Sequence, residues 1–151
     1  MAGEDSRVKC LILPLRSGVL LVPNAVVAEV LNNQMLQAAP ISAPSWQVGQ
    51  IGWRDDSTLP VISFEGICGE VIPAVQPGAN VVVMHSIRQD KSQRYYGIYI
   101  DDVPTFEFVD AATLTLAPDQ SSNPDFVASK VFVNGIEGYI PELDEIARLL
   151  N

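Results

Sequence analysis

Apolar residues in this chain come in short runs rich in Val and Ile, and most runs are closed by Gly, Pro, Asp or Asn. Strands are written this way, whereas a helix would space its apolar positions three and four apart. The pattern predicts ten strands, at 8–15, 19–22, 26–31, 48–53, 59–64, 80–87, 95–101, 105–109, 113–116 and 130–133. So many short strands in a small chain point to barrels or a sandwich.

Two stretches interrupt the pattern. AAPISAPS (38–45) carries two prolines that forbid regular pairing, and reads as a loop leading into a short helical turn near Trp46. APDQSSNPD (117–125) is polar and turn-rich, and reads as the most mobile internal loop. Near the C-terminus the period changes. Pro141 suits a first helical position, Glu142, Asp144 and Glu145 complement the positive end of the dipole, and Arg148 sits near the other end. Leu143, Ile146, Leu149 and Leu150 then form an apolar stripe that can pack against a barrel.

Composition narrows the class. With 151 residues, 48% of them hydrophobic and 18% charged, the chain fits one globular domain or two small, intimately packed lobes. A chain of this length buries roughly 68–70% of its unfolded surface and needs no disulfide staple. Net charge is −9, and the nine Lys and Arg form no stripe, which disfavours nucleic acid and anionic membranes as partners. No run approaches the roughly 20 apolar residues of a spanning helix. The start, MAGEDSR, lacks the apolar core of a signal peptide, so a flexible segment at 1–7 and a cytoplasmic location are expected.

Chemistry is hard to find. Cys10 (KCLIL) and Cys68 (GICGE) are flanked by apolar residues and read as small buried hydrophobes. His85 stands alone in VVVMHSI, on the strand face of Val81 and Val83, with no second ligand nearby. The pairs Asp55–Asp56 and Asp101–Asp102 lie at turns, where Asp bonds its own backbone. GQIG (49–52) is too short for a dinucleotide fingerprint, and neither Ser45 nor Ser63 lies in a nucleophile elbow. No catalytic set, metal site or cofactor site is therefore expected. A tyrosine cluster (Tyr95, Tyr96, Tyr99) and an aromatic edge (Phe106, Phe108) suggest exposed β surface, which favours a binding or scaffolding module over an enzyme.

Several segments, in order, resemble the CheW-like domain of bacterial chemosensory systems. LLVPNAVVAEVL (20–31) is similar to the family's apolar strand, short turn and V-x-E-[IV] segment. The spacing P-x-x-x-P-x-x-x-x-G at 40–49 leads into a strand and an arginine turn, and LPVISF resembles the strand in which a proline is followed by V-x-D-L. NVVVMHSI, YYGIYIDDV and VNGIEGYIPELDEIARLL are similar in order and spacing to the second half, so the resemblance spans about 8–150.

The resemblance implies a mainly β fold of two small five-stranded β-barrels packed together, with a short C-terminal helix. One subdomain is expected at about 24–73, the other at about 8–22 plus 80–140. It implies a non-catalytic adaptor without cofactors, coupling methyl-accepting receptors to a CheA-type histidine kinase. The divergence points to an accessory member, of the sort that serves pilus-linked twitching motility. Arg54, Glu29, Val27 and Val30 fall at the implied contact surface. Two departures stand out: Asp55-Asp56-Ser57-Thr58 follows Arg54 where the family has glycine, and Ser63 replaces the aspartate after the proline. The acidic tip is placed to pair with Arg54 and compete with a partner.

From the residues alone, Glu29 reads equally as a solvated strand position. Val27 and Val30 stand three apart and cannot both face one side of a regular strand, so at least one is expected in the core. Two rival readings are a β-barrel that binds a small acidic or aromatic ligand, and a hydrolase using the Asp pairs.

Overall fold

Strand alternation governs the architecture. The structure is a computed structural model that describes residues 7–16, 18–54, 57–87, 94–110, 114–116, 125–133 and 135–150. Its strands are β1 (Val8–Leu15), β2 (Gly18–Pro23), β3 (Val27–Gln34), β4 (Gln47–Trp53), β5 (Ser57–Ile62), β6 (Ala79–His85), β7 (Tyr95–Ile100), β8 (Thr105–Val109), β9 (Leu114–Leu116), β10 (Val127–Val133) and β11 (Ile136–Pro141). Two short helices accompany them, α1 (Phe64–Ile67) and α2 (Leu143–Leu149), and a 3-10 turn (Asn24–Val26) leads into β3.

The strands form a six-stranded sheet, β8-β1-β2-β11-β10-β9, and a five-stranded sheet, β3-β6-β7-β5-β4. Both follow one plan. An antiparallel trio (β8-β1-β2 or β3-β6-β7) meets an antiparallel group (β11-β10-β9 or β5-β4) through a single parallel pair, β2 with β11 and β7 with β5. Each parallel pair carries a glycine where the backbones approach. A Cβ on Gly97 would lie 2.6 Å from Val81 Cγ1, and one on Gly138 would lie 2.9 Å from Val19 Cγ2. Any side chain there would collide with that valine of a neighbouring strand.

Alternation then sorts the core into three. Leu11, Leu13 and Leu15 of β1 and Leu20 and Val22 of β2 face Val82, Met84, Tyr96, Ile98 and Ile100 of the other sheet, with α2 contributing Ile146. The five-stranded sheet curls around Ile51, Trp53, Leu59, Val61, Val81, Val83 and Tyr99. The six-stranded sheet curls around Cys10, Leu21, Val109, Val131 and Val133. β1, β2, β6 and β7 are thus covered on both faces, which is why they read as nearly continuous apolar runs.

Several expectations change. The strands at 79–100 pair with β3 and β5, so they belong with the middle of the chain and not, as the 80–140 grouping assumed, with the two ends. Pairing across fifty residues leaves no trace in local alternation. β11 was not anticipated. Pro141 ends this strand opposite Val127, and Glu142 is the N-cap of α2. Residues 40–47 make two successive turns, closed by Ala43 N to Pro40 O (2.9 Å) and Gln47 N to Pro44 O (3.0 Å), in place of a helical turn. The strand expected at 59–64 stops at Ile62, because Ser63 caps α1 by accepting a hydrogen bond from Gly66 N at 3.0 Å. Ser and Asp are comparable N-caps, so Ser63 serves the helix start as an aspartate would. The loop expected at 117–125 lies almost wholly outside the described residues, as do residues 1–6 of the expected N-terminal segment.

Backbone-anchored ties join the sheets among the described residues. Glu65, only 5% exposed, accepts from Arg16 N and from Ser63 Oγ, both at 3.2 Å. Asp101 N donates to Pro14 O at 2.9 Å.

Candidate functional site

The five-stranded sheet closes on itself where its end strands, β3 and β4, come together. Beyond β3, Gln37 and Gln50 exchange two backbone hydrogen bonds, at 2.8 and 2.9 Å. Gly49 makes room, since a Cβ there would sit 2.9 Å from Gln37 O. Nearer the β4–β5 tip, Trp53 Nε1 donates to Glu29 Oε1 at 2.8 Å, bridging β4 to β3.

Trp53 organises the rest. Its indole is 8% exposed and packs against Tyr95 with ring centroids 4.7 Å apart, and Tyr95 in turn meets His85 at 5.2 Å. The Arg54 guanidinium lies over the Trp53 ring, 4.3 Å from its centroid. One indole therefore carries a cation on its face and a carboxylate on its N–H edge. Arg54 is exposed and has no ion-pair partner among the described residues. Asp55 and Asp56, expected to compete for it, lie outside the described residues.

The backbone at Arg54 has φ +41°, a left-handed conformation that glycine or asparagine usually fills. Ser57 N closes the tip onto Arg54 O at 2.8 Å. A side chain with a Cβ is strained in this region, so arginine here carries a backbone cost that glycine would not.

Four residues were expected at the contact surface, and the structure brings two of them together. Glu29 and Arg54 meet through Trp53. Val27 and Val30 are half-buried and pack against the large core between the sheets. A β-bulge between Val27 and Glu29 reconciles their spacing: Val27 pairs with Met84 and Val30 with Val82, which lie on one face of β6. Sequence reading missed Trp53, and named Tyr95 only as part of a tyrosine cluster, not as the ring that Trp53 packs against. The available signal was an aromatic residue immediately before the arginine.

Other candidates resolve into structural roles. Tyr96 is buried in the core, and Tyr99 accepts from Gln76 N at 3.2 Å, so the tyrosines turn inward and do not form an exposed cluster. Phe106 and Phe108 do stay out, each 57% exposed on edge strand β8, with Lys9 Nζ 4.6 Å from the Phe106 centroid and Arg7 5.7 Å from that of Phe108. Asp102 bonds Val103 N at 2.7 Å. Cys10 and Cys68 are free thiols, and burial raises both above the usual thiol range. Among the described residues, no group of three or more His, Cys, Asp or Glu could hold a metal ion, and no helix is long and apolar enough to cross a membrane.

No protein-family profile matches the chain, and no curated protein does. A solved structure does match: the crystal structure of the scaffolding protein TtCheW from Thermoanaerobacter tengcongensis, with a TM-score of 0.71 at 17% sequence identity, covering 91% of this chain and 90% of that one. The fold is CheW-like.

Proposed function

We propose that this chain is a non-catalytic adaptor of a bacterial chemosensory array, coupling the cytoplasmic tips of methyl-accepting receptors to a CheA-type histidine kinase. The observation that carries the reading is Arg54, held on the Trp53 indole by a strained tip in a fold shared with a scaffolding protein. An adaptor works by presenting surfaces in a fixed relation, and two sheets locked by one shared core supply that rigidity. The receptor's helical tip docks at the Arg54–Trp53 platform, with Glu29 holding the indole in place. The kinase's own CheW-like domain docks through barrel ends in a pseudo-symmetric contact. Val27 and Val30 shape the surface from beneath. Sequence divergence supports an accessory role, in a pilus-linked system, and the work is cytoplasmic.

Co-purification with a histidine kinase and a chemoreceptor fragment tests this directly. Arg54→Ala is expected to weaken receptor capture, with the melting temperature little changed. Undiminished capture by that variant removes Arg54 from the contact. Failure of the parent protein to capture either partner removes the adaptor reading.

A further inference from the structure

The curl of the six-stranded sheet leaves an apolar hollow of about 270 Å³ next to its interior cluster. Strands β1, β2, β8, β9 and β11 all contribute to its walls, through Cys10, Leu21, Val109, Leu114 and Ile140 among others. Among the described residues of the lining, Asp110 alone is charged. We propose that this hollow is a binding site for a small uncharged apolar molecule of about one aromatic ring.

Three observations lead there. The first is size: an apolar cavity of about 150 Å³ is enough to take benzene, so this one accommodates a single ring with substituents. Shape is the second. Walls on five strands make a concave site inside a curled sheet, where ligands of small barrels bind, in contrast to the flat apolar faces that meet other proteins. Chemistry is the third. A lining of aliphatic side chains and one thiol offers dispersion contacts and little hydrogen bonding, so it returns nothing for the hydration an anion would lose on entering. The site lies in the six-stranded sheet, away from the Trp53–Arg54 platform in the five-stranded one, and does not depend on the adaptor reading.

Toluene and benzoate share a ring and differ by a carboxylate, which makes them a matched pair of probes. In an amide NMR titration of the whole chain, toluene is expected to shift Leu21, Val109 and Ile140, and benzoate at the same concentration to leave them in place. Cys10→Leu fills the hollow from its wall, so it is expected to abolish the toluene shifts while raising the melting temperature. Should that variant fail to fold, Leu114→Phe fills from β9 and carries the same expectation for toluene. Absence of toluene shifts in the parent overturns the proposal. Equal binding of benzoate does so too, as do toluene shifts that survive in the filled variant. Displacement of toluene by a receptor or kinase fragment also overturns it, assigning the hollow to a partner's apolar side chain.

Discussion

Trp53 and Glu29 are joined by a 2.8 Å hydrogen bond across the seam at which the five-stranded sheet closes, between strands at opposite ends of its pairing order. The donor is largely buried and the acceptor exposed, so removing the acceptor leaves an indole N–H that water reaches poorly. Glu29→Ala is expected to cost about 1–2 kcal/mol in urea unfolding followed by tryptophan fluorescence. Glu29→Gln keeps an acceptor and is expected to lose less than half of that. Equal stability of all three proteins would mean that the Gln37–Gln50 bridge alone holds the seam.

The same pair indicates how far the sequence could be read. The sequence located β1 and β8 to the residue because charged or turn-forming residues bound both runs, Arg7 and Arg16 around the first and Pro104 and Asp110 around the second. It could not locate β11, whose IEGYIP run mixes a glycine and a glutamate into a strand just before a helix, and a proline there suits either element. Glu29 and Arg54 were legible as candidates, yet Trp53 linking them was not, since they stand on strands that meet only on closure. Val27 and Val30 seemed incompatible with one face until the bulge was visible, and a bulge follows from pairing geometry, which one strand's sequence does not encode.

Arg54 pays for its position in backbone strain, and that strain can be separated from its side chain. At φ +41° glycine carries no Cβ penalty, while alanine carries the same one as arginine. Arg54→Gly is therefore expected to be more stable than Arg54→Ala by about 1 kcal/mol, while both lose the guanidinium over Trp53 and weaken receptor capture alike. A glycine variant less stable than the alanine one would show that the tip is not strained at this residue.

Gly97 and Gly52 offer a contrast within one sheet. A Cβ at Gly97 meets Val81 Cγ1 at 2.6 Å and Val61 Cγ2 at 3.2 Å, whereas one at Gly52 finds nothing within 4 Å. Both valines are fully buried, so neither can turn aside without disturbing the core of the curl. Gly97→Ala is expected to destabilise by about 1–3 kcal/mol in denaturant unfolding, the range of overpacked cores. Gly52→Ala should change stability by less than about 0.5 kcal/mol. A Gly97→Ala protein as stable as the parent would mean that the parallel junction can open without penalty.

Cys68 follows α1 in a half-buried position, and its thiol is pushed up to about 11, first by burial and then by the carboxylates of Glu70 and Glu65. The folded chain thus holds a proton there that the unfolded chain releases near the ordinary thiol value of about 8.5. Between those two values the native state binds more protons than the unfolded one, so stability falls as pH rises through that window and is unaffected by this group below it. In a Cys10→Ser background, iodoacetamide is expected to leave the native protein nearly unmodified at pH 8, with the rate climbing only as the medium approaches the raised value. In that same background Cys68→Ser should reduce the alkaline loss of stability over this window. Rapid alkylation of the native protein at pH 8 would contradict the assignment, because a thiolate forming there would have to escape both the desolvation and the two neighbouring carboxylates.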